Sequence, residues 1–191
     1  MRFDAAWRGE SYNCHVRDDP RRLLVRQLQG AYSGELAAGF AYAGHWRSVK
    51  DPAERARIQE IEAEEWHHRR LVGDMLRDLG GPPNKVREVI FWTIGRTIAA
   101  LCHIGGWFFP MYGAGRLERG NIVEYEIAAD YALACGREDL IDCLLSMAEV
   151  EWEHELYFRT KAEGHGLARI IPIWDPAPPK ETIRARFPQV A

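Results

Sequence analysis

Residues 58–79, IQEIEAEEWHHRRLVGDMLRDL, read as one amphipathic helix whose buried stripe is interrupted by charge. Steps of three and four residues along one face give Ile58, Ile61, Glu65, His68, Val72, Met75 and Leu79, so an acid and a base stand where leucine is expected. The interruption recurs near the other end of the chain. There Leu140, Leu144, Met147, Glu151, His154 and Phe158 share a face, and Glu65-Trp66-His67-His68 is echoed by Glu151-Trp152-Glu153-His154. Residues three apart lie on one side of a helix, so each Glu-x-x-His pair can reach a common ion. Glu64 and His67 form an overlapping pair, but they share their face with Arg57, Glu60 and Asp74 and read as solvated, which leaves His68 as the preferred base.

The segments around these two helices have legible boundaries. Asp19-Pro20 is an N-cap with proline in the first helical position and opens a helix over about 20–46, whose stripe is Leu24, Leu28, Ala31, Glu35, Ala38, Tyr42 and His45. Asp51-Pro52, with Glu54 three residues on, opens the second helix at about 52–79, and Gly80-Gly81-Pro82-Pro83 ends it. An apolar crossover follows over about 86–109, and the stretch 110–115 is expected to break it. A third bundle helix is expected over about 117–135 with Gly136 at its end; Leu117, Glu124, Ile127, Ala128 and Tyr131 share a face, which sets Glu124 on the stripe and Glu126 off it. A fourth runs over about 139–162. The proline-rich tail, 170–191, cannot continue a helix and reads as an extended strap anchored by Ile171, Ile173 and Trp174. Two helical hairpins joined by one long connection predict a single all-α domain over 1–191, a ferritin-like four-helix bundle.

Every bundle helix then contributes one core acid. An ionised carboxylate in a packed interior costs several kcal/mol, roughly, and converging ones also repel each other. Two divalent cations would neutralise Glu35, Glu65, Glu124 and Glu151, with His68 and His154 completing a nitrogen and oxygen donor set that suits iron, or manganese in its place. These six residues are the candidate metal ligands and the candidate catalytic residues. Glu35 alone reads equally well as a partly solvated acid near Arg26 or Arg47, and the agreement of four helices is what carries the inference. A Glu from each of two helices with Glu-x-x-His from the other two is the di-iron carboxylate arrangement. His45 and His103 read as core or surface histidines, and Trp92, Trp107, Phe108 and Phe109 as packing or membrane anchors.

The bulk properties exclude other classes. With 191 residues, 47% hydrophobic and 28% charged, and a formal net charge of -3, the chain suits one globular domain and gives no reason to expect a nucleic-acid partner. Cys14, Cys102, Cys135 and Cys143 form no C-x-x-C pair, so neither a disulfide framework nor a zinc site is expected, and a reducing cytoplasm suits them. The N-terminal MRFDAAWRGESYN lacks the apolar run of a signal peptide. From Val89 to Gly115 only Arg96 and His103 carry strong charge or titrate near neutrality, over a length that could span a bilayer, yet Arg96, Gly95, Gly105, Gly106 and Pro110 interrupt it. The segment therefore reads either as a buried crossover helix or as a surface that touches a membrane.

The run Gly34-Glu35-Leu36-Ala37-Ala38-Gly39-Phe40-Ala41-Tyr42-Ala43-Gly44-His45 resembles the first-helix motif of the demethoxyubiquinone hydroxylase family, a G-E-x-x-A-x-x-x-Y-A-G pattern. Val123-Glu124-Tyr125-Glu126-Ile127-Ala128-Ala129-Asp130-Tyr131 is similar to that family's V-E-x-x-I-A-x-x-Y segment, and the resemblance spans roughly 24–158. It implies Glu124 rather than Glu126 as ligand, and a di-iron monooxygenase that hydroxylates a polyprenylated quinone precursor with electrons from NADH. It further implies peripheral contact with the cytoplasmic face of a membrane through the apolar crossover, and a homodimer is compatible with it. Two positions depart from the family: Asp130 stands where a histidine is usual, and a proline-rich strap replaces further apolar helix. A proposed pairing follows, in which Glu35, Glu65 and His68 hold one iron while Glu124, Glu151 and His154 hold the other. Glu65 and Glu151 are expected to bridge, with Tyr131 helping to orient a histidine. The alternatives are a ferritin-type iron store, against which the aromatic crossover argues, and a rubrerythrin-like peroxidase, which lacks its four-cysteine iron site here.

Overall fold

The structure, a computed structural model, describes residues 19–187; the expectations for the N-terminal stretch with Cys14, and for 188–191, lie outside the described residues. Among the described residues the fold is all-helical: α1 (Pro20–Ser48), α2 (Pro52–Asp78), α3 (Lys85–Cys102), α4 (Phe108–Ala134), α5 (Ile141–Glu163) and a short α6 (Glu181–Ala185). The caps act where the sequence puts them. Asp19 accepts from the Arg21 amide and Asp51 from the Glu54 amide, at 3.1 and 2.9 Å. Gly80 and Gly136 take positive φ, 64° and 73°, just beyond α2 and α4, a conformation that costs residues with a Cβ. A single 3-10 turn, Glu138–Leu140, leads into α5, so that helix begins slightly later than 139.

The larger correction concerns α4. Pro110 does not break the crossover from the bundle helix; it sits in the first turn of α4, where the amides have no intrahelical partner and a missing N–H costs nothing. Helix α4 therefore starts at Phe108 instead of about 117, and α3 ends at Cys102 instead of running to 109. The buried face of α4 is Met111, Gly115, Glu118, Ile122, Tyr125, Ala129 and Ala132. Leu117, expected inside, is 59% exposed, and Glu124 is exposed as well.

Helix α1 packs on α2, α3 and α4, and α4 packs on α5. Two apolar layers fill the bundle. One gathers Leu24, Leu28, Val72, Leu76, Ala129 and Leu144 at one end, and the other gathers Tyr42, Ile58, Ile61, Met111 and Phe158 at the opposite end. On each of the four helices the acid of the stripe falls between these layers, which seal a polar slice from water at both ends. The tail lies against the bundle, but where an extended strap is expected it turns into the short helix α6, and Ile171 and Ile173 are only half-buried. The Trp174 indole donates to Glu155 at 2.8 Å and the Trp152 indole to the Pro178 carbonyl at 2.8 Å, while Ile183 of α6 and Phe187 bury themselves in the first layer. Asp130 pairs with Arg186 of this tail at 3.2 Å.

Helix α3 lies against α1 through small residues. A Cβ on Gly95 would come within 2.6 Å of the Ala37 carbonyl oxygen, and one on Gly44 would strike the backbone of Ala99. Gly95→Leu is expected to lever α3 away from α1 and lower stability by about 1–3 kcal/mol, read as a drop in melting temperature with unchanged helix content. An unchanged melting temperature would mean that α3 is not held at this crossing. Apart from Arg96 the outer face of α3 is largely apolar: Val86 and Val89 are 70% and 66% exposed, with Ile90, Ile94 and Leu101 also open, and Ile104 just beyond the helix is exposed too. Thr93 and Thr97 turn their hydroxyls back to the Val89 and Thr93 carbonyls, which spends their polarity on the helix itself. The crossover is thus neither buried nor spanning: no described helix is long and apolar enough to cross a membrane.

Candidate metal centre

Five of the six residues named from sequence converge in the slice between the apolar layers. Glu35 comes from α1, Glu65 and His68 from α2, and Glu151 and His154 from α5, and all five are buried. The sixth does not join them. Glu124 is exposed, lines a recess beside Glu35 and belongs to neither ligand group, and Glu118, six residues earlier on α4, takes the place expected for it. The ligand atoms form two overlapping groups, Glu35-Glu65-His68-Glu151 and Glu65-Glu118-Glu151-His154, each with its atoms within 4.8 Å of one another. Glu65 and Glu151 belong to both groups, as bridging acids would.

Protein donors satisfy some of these oxygens and leave others bare. The Tyr125 hydroxyl donates to Glu35 Oε1 and the Tyr42 hydroxyl to Glu118 Oε1, while the Asn121 amide donates to Glu118 Oε2 at 2.8 Å. His68 Nδ1 lies 2.9 Å from Glu151 Oε1, and His154 Nδ1 lies 3.3 Å from Glu151 Oε2. Both oxygens of Glu65, and Oε2 of Glu35, are buried without a hydrogen-bond partner. His154 Nδ1 approaches Glu65 Oε1 at 3.3 Å without forming a hydrogen bond. Bare buried carboxylate oxygens are expensive, and a cation among them would supply the missing partner.

The electrostatics carry the same signature. Burial, reinforced by the neighbouring carboxylates Glu151 and Glu118, pushes Glu65 up to about 8. Burial likewise raises Glu35 well above the ordinary range, with Glu65 and Glu151 adding to it, and raises Glu118, with Glu151 adding. Burial opposes ionisation of Glu151 too, but the hydrogen bonds from His154 and His68 outweigh it and hold its carboxyl far below the ordinary range. Burial works against protonation of both histidines, yet the carboxylates around them raise His68 and, more strongly, His154. Four acids and two imidazoles, with oxygen atoms left over, fit a pair of divalent ions of the iron or manganese type.

Glu64, expected to be solvated, has a part in the site. Its Oε2 lies 2.7 Å from His154 Nε2, on the side of the ring away from the cluster, with Arg57 at 3.3 Å behind it. A carboxylate on the outer nitrogen fixes the tautomer and aim of a metal-binding histidine. The corresponding place before Glu151 is Val150, so the internal echo stops short of this feature. His67 does stay exposed, and Tyr131, expected to orient a histidine, packs against an apolar layer while Tyr42 and Tyr125 occupy the site. His103 is exposed and His45 is core.

Two recesses approach the cluster. One of 280 Å³ is lined by Glu35 and Glu118 together with Ala38, Phe91 and Ile94, and it shares Ala41, Tyr42, Ile98 and Leu117 with a more apolar cavity of 480 Å³ under α3. No family model, characterised protein or solved structure matches the chain. What the geometry defines by itself is an all-helical bundle with a buried glutamate and histidine cluster that could hold metal.

Proposed function

We propose that the protein is a ferritin-like di-iron monooxygenase that hydroxylates an apolar, quinone-like substrate with dioxygen. The observation that carries this reading is the pair of overlapping ligand groups, built from four helices, in which Glu65 and Glu151 are shared and the Glu65 oxygens lack a hydrogen-bond partner. Glu35, Glu65, His68 and Glu151 would hold one ion, and Glu65, Glu118, Glu151 and His154 the other. Iron in that place would supply the binding and reduction of dioxygen.

The chain's own residues do the rest. The apolar layers exclude bulk water from the slice, which strengthens every charge interaction inside it. Tyr125 and Tyr42 hold protons on their hydroxyls against Glu35 Oε1 and Glu118 Oε1, and Glu64 aims His154. The two recesses give an apolar molecule a route from the α3 side to Glu118. The exposed aliphatic face of α3, continued by Phe109 at 56% exposure, suits rest against a lipid surface from which such a substrate would come. NADH is the electron source that the family resemblance implies.

The test is oxygen uptake by iron-loaded protein with NADH and a short-chain benzoquinone analogue, with product analysed by mass spectrometry. Uptake dependent on the analogue, with one oxygen atom added to its ring and both lost in Glu65→Ala, is the expected result. Turnover that follows hydrogen peroxide and ignores the quinone would replace the reading by a peroxidase. Accumulation of iron far beyond about two ions per chain would replace it by a store.

A further inference from the structure

The 480 Å³ cavity between α1, α3 and the start of α4 is walled mainly by aliphatic and aromatic groups such as Ile98, Leu101, Ile104, Phe109 and Ala114. Among its lining side chains, those of Tyr42, His45 and Cys102 carry a polar atom. Tyr42 spends its hydroxyl on Glu118. Burial pushes the Cys102 thiol up to about 11, so it stays protonated, and a thiol is a weak hydrogen-bonding group. His45 differs from both: it is 3% exposed, and its Nε2 has no hydrogen-bond partner.

The His45 ring is held in place. It stacks on Tyr42 at 6.2 Å between centroids and on Phe158 at 5.8 Å. Burial lowers its pKa to about 4, which keeps the imidazole neutral. His45 and Cys102 also border a polar cleft that includes Asp51 and Glu54, so the apolar cavity ends at these two residues. Nε2 has almost no exposed surface and no hydrogen-bond partner, and the cavity wall beside the ring offers a water few further polar groups. A buried nitrogen without a partner is costly, and a ligand that supplies one oxygen removes the cost.

We propose that His45 sets the specificity of this cavity, its Nε2 hydrogen-bonding a hydroxyl or carbonyl oxygen carried by an otherwise apolar ligand. This deepens the reading of the cavity as a substrate site and rests on it. The neutral ring offers either an N–H or a lone pair at Nε2, so it serves a carbonyl in one tautomer and a hydroxyl in either. Tyr42, packed against both His45 and Phe158, links the bound end to Glu118 and hence to the cluster.

The experiment compares 4-hexylphenol with hexylbenzene, a pair that differs by one hydroxyl, by titration calorimetry on metal-free and iron-loaded protein. The phenol partitions into oil less readily, so a preference for it reports a specific hydrogen bond. Wild-type protein is expected to bind the phenol about tenfold more tightly, the effect of one neutral hydrogen bond. His45→Phe should bind both probes alike while keeping its affinity for hexylbenzene, which shows that the cavity is intact, and His45→Gln should retain most of the preference. Absence of preference in the wild type, binding of neither probe, or a preference that survives in His45→Phe would overturn the proposal. Iron is assayed on the same samples, because a phenol preference in protein that takes up no iron would sink the di-iron reading and leave His45 standing. Normal iron with no preference would do the reverse.

Discussion

Glu118→Ala is expected to reduce bound iron from about two ions per chain to one or none, while Glu124→Ala keeps both. The contrast follows from position. Glu118 is buried with both oxygens held by Tyr42 and Asn121, and it lies within reach of Glu65, Glu151 and His154, whereas Glu124 is exposed at a recess and belongs to neither ligand group. The loss should exceed the roughly 10–100-fold drop in affinity typical of removing an outer partner. Glu64→Ala should show that smaller drop, because it releases His154 without removing a ligand. Glu118→Gln adds a check of opposite sign. Without metal it should be at least as stable as the wild type above neutral pH, since a neutral amide replaces a desolvated acid, yet it should gain little stability when iron is added. Iron lost from Glu124→Ala and retained by Glu118→Ala would mean that α4 is rotated from the register described.

Stability of the metal-free protein is expected to fall as pH rises from about 5 to about 8, and added ferrous or manganous ion should reverse the slope. Glu65 binds its proton more tightly when folded, so its contribution is whole below its ordinary 4.5 and is lost as pH climbs through about 8. Glu35 and Glu118, raised by burial, act in the same sense. So do His68 and His154, raised by the acids around them: their contribution is whole below 6.5 and declines as pH passes their folded values. Glu151 runs the other way, but its value is lowered, so its contribution is present above 4.5 and stays constant across this window. The combined effect is on the order of several kcal/mol. Metal needs the ligands deprotonated and releases their protons as it binds, so its stabilisation grows with pH. Melting curves with metal and with chelator should therefore diverge toward alkaline pH; parallel curves would contradict a cation between these acids.

The sequence reveals a residue's place in this site wherever its helix has a clean start. Asp19-Pro20 and Asp51-Pro52 fix the phase of α1 and α2, and from that phase Glu35, Glu65 and His68 follow. In α5 the stripe is apolar up to Glu151, and the internal echo locates His154. Helix α4 has no side-chain cap, and its first turn contains Pro110. Reading that proline as a break moves the start to about 117 and shifts the inferred face toward Leu117 and Glu124. The similarity of 123–131 to a family motif reinforces the same choice. A stripe carried back to Met111 would have shown one acid, Glu118, among otherwise apolar or aromatic positions, because a proline in a first turn costs no hydrogen bond.

Glu64 was hidden for a different reason. Periodicity sorts residues by face, and Glu64 lies on the polar face of its own helix. Its partner is a histidine on α5, across the bundle, and no pattern within one helix discloses a contact of that kind. The same holds for Tyr42 and Tyr125, which look like core aromatics along α1 and α4 until their hydroxyls are seen to meet Glu118 and Glu35.

The most direct measurement is diffraction from an iron-soaked crystal on both sides of the iron absorption edge. The account predicts two anomalous peaks inside the bundle, one among Glu35, Glu65, His68 and Glu151 and one among Glu65, Glu118, Glu151 and His154. An interior without anomalous signal, with those carboxylates protonated and bonded to one another, would contradict it.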